Sequence, residues 1–535
     1  MLQKTRQKLV VLGLTIGLLG GTASSAGAAG AGANLVNPNQ VYTYNIMQKD
    51  IRELAERYPG LMSYESLGKS PYGRELWAVR IGRGEANLLL NGSHHAREWM
   101  TTSLLMEMLD TYSAAYLTGE NFGPYNVREL LNRVSIWIVP MVNPDGVTLS
   151  QSGVAGLPAD LAAALIRYNG NSRNFKRWKA NMQGIDLNRQ YPANWTGIRN
   201  SGKYPSYQNY KGTKPAQTPE VKLMMDLTYR TDPEMTVAYH SSGQIIFWHY
   251  KTPAANVARD KAYASDLARL TGYSLVAPEK NPSGGGYKDW FVQEFGRPGF
   301  TVEIGRYVGD GPLPLSAFKG VWAENKTVGL YAAQKSYDLW FRKQKLQPVG
   351  GSMTLFVQTP GYTKIGAAQS AGSLAPQDVW VNARKGDWYL VQTGAGERWI
   401  RPVPGSLGAV EAVNGTVTLN ADSMLYKYPD LLAPKVSKIA PQELRVTGRS
   451  GTWLLVAYGA GSFWVDGRNL TPVLAPAGSE GAEPGGQPAG DAGGTNEAPP
   501  GTPVQETPAQ SDAAEPTGPP QASPAQVDPG QTDPT

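Results

Sequence analysis

The chain has 535 residues, of which 41% are hydrophobic and 18% are charged, and none is cysteine. One hydrophobic core rarely extends over so many residues, so several domains are expected, and their stability cannot come from disulfides. The net charge of +6 is uneven, because the segment from Pro476 onward holds nine acidic and no basic residues, which leaves +15 on the first 475.

That basic body fits an anionic partner such as a wall polymer, and it fits plain solubility equally well. Nothing beyond the charge indicates a nucleic-acid partner.

The first 33 residues are typical of a signal peptide. An apolar run, Leu9–Leu19, follows a basic start with cations at Lys4, Arg6 and Lys8. Small residues come next, and Ala26–Ala28 and Ala31–Ala33 are both possible cleavage sites. The run is shorter than the roughly 20 residues of a spanning helix, which makes a retained anchor the weaker alternative. We expect a secreted protein, with no transmembrane segment once residues 1–33 are removed.

Strands and helices alternate over residues 34–346. Helical periodicity predicts helices, and short apolar runs predict buried strands. The predicted helices are Tyr42–Tyr58, Trp99–Tyr112 and Val321–Phe341, and the predicted strands are Leu88–Leu90, Val134–Val139, Met235–Tyr239 and Phe300–Val302. This alternation favours an α/β domain, with a mixed, mostly parallel sheet flanked by helices.

An internal repeat follows, with a constant offset of 65 residues. The run Gly386–Ile400 matches Gly451–Val465, including Trp388 with Trp453. We therefore predict two small all-β barrels, over residues 351–408 and 414–474. They resemble the bacterial Src-homology-three-like domains of secreted wall enzymes, which implies possible cell-wall binding. Their tryptophans are expected to pack in the core.

Residues 476–535 are rich in Pro, Gly, Ala, Gln and acidic residues, with almost no large apolar side chain. Such a composition cannot bury enough surface to offset chain entropy, so we predict a disordered acidic tail.

Polar residues follow several of the predicted strands. His95 and Glu98 lie between a strand and a helix, a pair that by itself could be simple helix capping. His240 and Glu303, however, each directly follow another strand. Ligands of open α/β sheets bind at the carboxyl ends of strands, so these side chains could meet in one crevice. Two His and one Glu around zinc leave a position open for water, as in catalytic sites.

At this point a family resemblance is plain. The chain resembles zinc carboxypeptidases of the carboxypeptidase A type over roughly residues 37–345. The matching stretches stand in the family's order and are HHAREW (His94–Trp99), NPDG (Asn143–Gly146), DLNR (Asp186–Arg189), YHS (Tyr239–Ser241), SGGGYKDW (Ser283–Trp290) and FTVE (Phe300–Glu303).

The resemblance implies a metal site. His95, Glu98 and His240 correspond to the ligands of one Zn²⁺ per catalytic domain, which would polarise the scissile carbonyl and activate its water. Glu303 corresponds to the general base. Asp186 corresponds to a carboxylate that orients His95 through its other ring nitrogen.

The resemblance also implies substrate contacts. Asn188 and Arg189 correspond to the pair that grips a substrate carboxylate, and Arg97 to a residue of a neighbouring subsite. The family stabilises the oxyanion with an Arg shortly before the DLNR motif, where Arg177 and Lys179 both qualify. We prefer Arg177, because a guanidinium is always charged and offers a fork of donors.

Specificity depends on Lys288, which corresponds to the residue facing the side chain of the released amino acid. A lysine pointing inward would favour an acidic group, whereas one pointing to solvent would have no such effect. The digestive members carry a mobile Tyr before this segment, but residues 277–282 contain none. Tyr287 could substitute, although packing is the more ordinary role. His94 is expected beside the site, and His249 as a packed histidine.

Together these features predict a secreted, possibly wall-associated zinc metallopeptidase acting next to a free carboxylate. The architecture resembles bacterial γ-D-glutamyl-L-diamino acid peptidases, which implies the γ-D-glutamyl–diaminopimelate bond of peptidoglycan stem peptides as substrate. The alternative is a general extracellular carboxypeptidase acting on ordinary peptides. An amino-acid deacylase and a binding module without catalysis fit the full set of residues less well.

Overall fold

The structure, a computed structural model, describes residues 34–476. The signal peptide predicted over residues 1–33 lies outside that range, as does the predicted tail apart from Pro476. Within residues 34–476, no helix has the length and apolarity needed to cross a membrane.

The first part of the described chain is built on an eight-stranded sheet. Its strands and one separate short ribbon, β4–β5, are β1 (Met62–Lys69), β2 (Glu75–Gly82), β3 (Ala86–Asn91), β4 (Asn121–Phe122), β5 (Tyr125–Asn126), β6 (Val134–Val139), β7 (Met235–Ser241), β8 (Ile245–Phe247), β9 (Ser274–Leu275) and β10 (Gly299–Ile304). The order in the sheet is β1-β2-β6-β3-β7-β10-β8-β9. The four central strands β6, β3, β7 and β10 run parallel, and β1, β2 and β8 pair antiparallel. This confirms the predicted mixed, mostly parallel sheet.

Helices cover both faces of this sheet. They are α1 (Tyr44–Arg57), α2 (Met100–Thr118), α3 (Val127–Arg133), α4 (Pro144–Ser152), α5 (Ala159–Tyr168), α6 (Pro219–Thr231), α7 (Ala254–Thr271), α8 (Tyr287–Phe295), α9 (Phe318–Asn325) and α10 (Val328–Lys343). On β3, Leu88 and Leu90 pack into one apolar core, whereas Leu89 packs into the core on the opposite face. A central strand buried on both sides needs such a continuous apolar run.

The helix predicted over residues 321–341 is two helices, α9 and α10. The Tyr112 hydroxyl donates to the Lys326 carbonyl (2.8 Å) at the junction between them. A Cβ on Gly329 would lie only 2.9 Å from that hydroxyl. At the break, a side chain of α2 therefore donates to a carbonyl that a continuous helix would use internally. Helical periodicity in the sequence does not reveal this contact.

Two antiparallel sheets of seven strands follow. The first contains β11 (Gln347–Leu355), β12 (Thr359–Tyr362), β13 (Ser373–Leu374), β14 (Gln377–Lys385), β15 (Trp388–Thr393), β16 (Gly396–Ile400) and β17 (Leu407–Gly408). The second contains β18 (Glu411–Thr418), β19 (Ser423–Tyr426), β20 (Lys435–Ile439), β21 (Glu443–Ser450), β22 (Trp453–Tyr458), β23 (Gly461–Asp466) and β24 (Val473–Pro476).

These two β modules share one topology. Their strand orders correspond one to one, and each curls around its own apolar core as a half-barrel. A register irregularity between Val381 and Ala383 recurs between Val446 and Gly448, at the 65-residue offset of the sequence repeat. The predicted module boundaries and the Src-homology-three resemblance stay predictions.

The loop between β2 and β3 joins the sheet to both modules. Arg83 forms an ion pair with Asp430 of the second module and donates to the Pro404 carbonyl of the first (2.9 Å). Glu85 pairs with Arg384. Because this loop precedes β3, the modules contact the sheet at the end where β3 begins.

Candidate active site

The predicted metal-binding residues meet at the end of the sheet opposite to the β modules, where the adjacent parallel strands β3, β7 and β10 end. His95 and Glu98 follow β3, with Glu98 ending a 3-10 turn over Ala96–Glu98. His240 lies near the end of β7, and Glu303 is its register partner on β10. Strand order alone therefore brings four residues together that are spread over more than 200 positions of sequence.

His95, Glu98 and His240 form a compact, buried set of donors. Glu98 Oε1 lies 2.8 Å from His95 Nδ1, Glu98 Oε2 lies 2.8 Å from His240 Nδ1, and the two Nδ1 atoms are 3.1 Å apart. All their ligand atoms lie within 4.8 Å of one another. Two imidazole nitrogens and a carboxylate that converge on one point match the donor set of a catalytic zinc site.

The protonation states of Glu98 and His240 favour binding of a cation. Burial alone would raise the pKa of Glu98, but His95 and His240 hold it well below the usual range. Burial lowers the pKa of His240, which favours the neutral imidazole that a metal needs.

Asp186 stands behind His95. Its Oδ1 lies 3.3 Å from His95 Nε2, the nitrogen on the side away from Glu98. Asp186 is fully buried, and Lys179 and then His95 hold the pKa of its carboxyl well below the usual range against the effect of burial. A buried carboxylate on the far nitrogen fixes the tautomer and direction of the ring.

Glu303 borders the open side of the site. Burial, and next the charge of Glu98, raise the pKa of Glu303 to about 8. It lines a cavity of about 360 Å³ together with His95, Asn188, Arg189 and Lys288. At least one residue predicted to bind the metal, one predicted to transfer the proton and three predicted to bind the substrate therefore line one cleft.

Of the two cations proposed for the oxyanion, the structure brings only Lys179 to the cleft. Its Nζ lies 3.7 Å from Asp186 Oδ2, and it lines the same cavity. Arg177 instead donates to the carbonyl of Asn169 (2.7 Å) and stacks over the ring of Tyr207. The preference for Arg177 is therefore corrected, because its guanidinium is committed to packing contacts outside the cleft.

Arg97 also lies at the margin. Its Nη1 donates to the backbone and the side chain of Asp310, both at 3.0 Å, and it is not among the residues that line the cavity. It is nevertheless close enough to lower the pKa of Glu303. The structure thus places it beside the catalytic centre rather than in the carboxylate-binding part.

Lys288 points inward. It is 6% exposed and lines the cavity, where its Nζ donates to the His249 carbonyl (3.0 Å) and pairs with Asp289 Oδ1 (2.5 Å). The solvent-facing alternative therefore does not hold. Asp289, which sequence reasoning had not singled out, is a cleft residue as well.

The remaining residues near the cleft are supports. His94 is buried and shares a hydrogen bond with the Tyr191 hydroxyl (2.9 Å), and Tyr287 is fully buried with its hydroxyl 3.0 Å from that of Thr228. His249 packs edge-on against Trp248. His94 thus lies beside the metal-binding residues, Tyr287 packs in the core, and His249 also lines the cavity.

Asn143 had no predicted role, although its motif was recognised. It is fully buried, and its amide donates to the carbonyls of His94 and Ala180, both at 3.1 Å. These carbonyls adjoin His95 and Lys179, so Asn143 ties the metal-binding turn to the segment that carries the cleft lysine. Its N-cap position before Pro144 was the available sequence signal.

Comparison with known proteins decides the family. The profile described as zinc carboxypeptidase matches residues 47–327, about half of the chain. The chain belongs to the zinc carboxypeptidase family. It is 36% identical over 301 residues to gamma-D-glutamyl-L-diamino acid endopeptidase 1 of Lysinibacillus sphaericus, covering 56% of this chain and 73% of that protein.

Two further likenesses accompany this match. Uncharacterized protein YqgT of Bacillus subtilis is 32% identical over 301 residues, covering 55% of this chain and 77% of that protein. The structure of bovine thrombin-activatable fibrinolysis inhibitor in complex with tick carboxypeptidase inhibitor aligns with a TM-score of 0.47 and 20% identity, covering 56% of this chain and 99% of that one.

As a zinc carboxypeptidase, the protein is a metallopeptidase whose cofactor is zinc. The converging His95, Glu98 and His240 donors are where the described residues can hold that ion.

Proposed function

We propose that this zinc carboxypeptidase hydrolyses the γ-D-glutamyl–diaminopimelate bond of peptidoglycan stem peptides outside the cell. The observation that carries the proposal is the ion pair between the buried Lys288 and the partly buried Asp289 in the wall of the cleft. The distal end of diaminopimelate is a zwitterion with one carboxylate and one ammonium. Lys288 offers the charge for the former and Asp289 for the latter.

The α-carboxylate of the same residue would bind Arg189 and Asn188. Arg189 lies in the cavity, oriented by Asn209, whose side-chain oxygen accepts from Nη2 (3.1 Å). Asn188 is fixed by the Tyr287 backbone N–H, which donates to its side-chain oxygen (2.9 Å). Preorganised donors of this kind bind a carboxylate without further ordering cost.

When bound, zinc would polarise the scissile carbonyl and lower the pKa of the attacking water. Glu303 would take the proton from that water and deliver it to the leaving amine, a role that suits a carboxyl with a pKa near the working pH. Lys179 would donate to the oxygen on which negative charge develops. The relative from Lysinibacillus sphaericus, named for this bond, supports the assignment.

The test compares four peptides on the secreted, zinc-loaded protein. They are L-Ala-γ-D-Glu-meso-diaminopimelate, the same peptide with L-Lys as its last residue, and α-linked peptides ending in Glu or Phe. We expect the diaminopimelate peptide to be cleaved with the highest kcat/KM, because only its last residue carries both a second carboxylate for Lys288 and an ammonium for Asp289. Cleavage of the α-linked peptides alone would overturn the proposal and leave the general carboxypeptidase.

A variant assigns the effect to the cleft lysine. Lys288→Gln should lower kcat/KM for the diaminopimelate peptide by about 10- to 100-fold, the range of a lost charge-assisted hydrogen bond, and change the L-Lys peptide far less. Lys280→Gln, at an exposed lysine of the loop before the Gly-rich segment, is the matched control. Equal losses on both peptides would show that Lys288 only supports the fold.

A further inference from the structure

Two buried acids on α2 face the first residues that the structure describes. Glu107 and Asp110 stand three positions apart on that helix and so share a face. Glu107 is 8% exposed and Asp110 is fully buried. Neither takes part in the catalytic cleft.

Both carboxylate oxygens of Asp110 accept hydrogen bonds. Its Oδ2 accepts from the backbone N–H groups of Leu35 (2.6 Å) and Val36 (3.0 Å), and its Oδ1 accepts from the Tyr58 hydroxyl (3.0 Å). These bonds hold the backbone at residues 35 and 36 directly over the helix.

Glu107 is incomplete. Its Oε1 accepts from the side-chain amide of Asn34 (3.1 Å), and the Thr111 side chain also hydrogen-bonds the carboxyl, but its buried Oε2 meets no donor at ordinary hydrogen-bond distance among residues 34–476. Burial, and next the charge of Asp110, raise the pKa of Glu107 to about 7. A buried carboxylate oxygen without a donor costs free energy, so this site calls for a donor, preferably a cation.

The backbone nitrogen of Asn34 is a candidate for that donor, because the Asn34 side chain already contacts Glu107. It is three covalent bonds from the Leu35 nitrogen, and so at most about 3.7 Å from an atom that Asp110 already binds. As a peptide N–H it offers one hydrogen and no charge, whereas a chain terminus would offer three hydrogens and a positive charge. The sequence immediately before it, Ala31-Gly32-Ala33, has the small-x-small pattern of a signal-peptidase site.

We propose that the chain is cut between Ala33 and Asn34 during export, and that the new α-ammonium group of Asn34 pairs with Glu107. Water adds across the peptide bond, leaving a carboxylate on Ala33 and an ammonium on Asn34. The pairing completes the acid pair of α2 and locks the mature N-terminus onto the catalytic domain. Cleavage at the other candidate, after Ala28, would leave five extra residues and an ordinary peptide nitrogen at Asn34. The inference rests on export and is independent of which peptide bond the enzyme hydrolyses.

The cleavage site is tested on the full chain, expressed in a bacterium that exports it and purified from the medium. Intact mass and N-terminal sequencing should show Asn34 as the first residue. A mature chain that begins at Ala29, or at any other residue, would overturn the proposal.

The pairing is tested on the reactivity of the α-amine. Pairing should raise the pKa of that amine by about one unit, so Glu107→Gln should speed its acylation near neutral pH about tenfold and lower Tm. Glu56→Gln, at an exposed glutamate of α1, should change neither. Equal acylation rates in all three proteins would overturn the pairing.

A second variant covers the case in which Glu107→Gln does not fold. A chain secreted with one additional Ala before Asn34 keeps Glu107 but moves the ammonium away from it. We expect its α-amine to react as fast as an ordinary exposed terminus. Protection equal to that of the natural terminus would contradict the pairing with Glu107.

Discussion

Glu98 and Glu303 both lie at the metal-binding end of the sheet, yet their surroundings move their pKa values in opposite directions. His95 and His240 hold the pKa of Glu98 well below its usual range, whereas burial and the charge of Glu98 raise that of Glu303 to about 8. A carboxyl that stays ionised suits metal binding, and one that can hold a proton near neutral pH suits proton transfer.

Glu303→Gln should therefore separate the two roles. We expect kcat to fall by about 10²- to 10⁴-fold, because the amide keeps the shape of the side chain but cannot accept the proton. Bound zinc, measured by elemental analysis, should stay at the wild-type level. Glu279→Gln, at the exposed rim of the cleft, is the control. Wild-type turnover in Glu303→Gln would assign the base to another residue.

Lys179 and Arg177 make a second pair to distinguish. Lys179→Met should lower kcat by about 10²- to 10³-fold, the cost of losing one donor to a developing oxyanion. Arg177→Met should leave kcat within a few-fold, but lower Tm, since it removes the contacts with Asn169 and Tyr207. Steady-state kinetics with a differential scanning trace measure both. The reverse pattern would show that Arg177, and not Lys179, stabilises the oxyanion.

At this scale the sequence was informative where a residue adjoins a regular strand. His95, His240 and Glu303 could be located because each follows a recognisable buried strand. The pairing of these parallel strands then brings the three residues together. Arg177 and Lys179 lie in an irregular stretch without such a reference. Their directions depend on contacts with residues far away in sequence, such as Tyr207, so spacing could not choose between them.

At the scale of elements, the Gly-rich segment before α8 positions the specificity residues. A Cβ on Gly284 would lie 2.0 Å from the carbonyl oxygen of Ala193 and 2.4 Å from the hydroxyl of Tyr250. The segment can therefore approach Ala193 only without a side chain. That approach sets the start of α8, and with it the place of Lys288.

Gly284→Ala should disturb this arrangement. Overpacking of about 1–3 kcal/mol should lower Tm, and the displaced Lys288 should lower kcat/KM for the preferred peptide more than kcat/KM for other peptides. Gly320→Ala is the control, because Gly320 lies in α9 with nothing within 4 Å of its added Cβ. It should be neutral or slightly stabilising. Unchanged substrate preference in Gly284→Ala would show that the segment does not position Lys288.

The central elements were also the predictable ones. The strands β3, β6, β7 and β10 are buried on both faces and read as apolar runs, whereas the outer strand β1 is largely exposed and carries little pattern. The break between α9 and α10 was missed for a different reason. It depends on a tertiary contact from Tyr112, and local sequence does not encode it.

At the scale of the whole described chain, the β modules and the catalytic cleft lie at opposite ends of the central strand β3. Arg83 and Glu85 precede β3, and His95 follows it. The six residues of β3 span about 20 Å. The modules therefore leave the cleft open, and a change at their contact with the sheet should not alter turnover of a small soluble peptide.

The Arg83–Asp430 pair is the place to test this separation. Both side chains are only 11% exposed, so Asp430→Asn would leave Arg83 largely buried without its carboxylate, at a cost on the order of 3 kcal/mol. We expect faster proteolysis and faster hydrogen exchange in the second module, with kcat/KM for a soluble tripeptide unchanged. Asp422→Asn removes an exposed pair with Lys438 in the same module and should alter neither, because such pairs contribute little. A loss of activity on the tripeptide in Asp430→Asn would mean that the junction is coupled to the cleft through β3, against the independence argued from the fold.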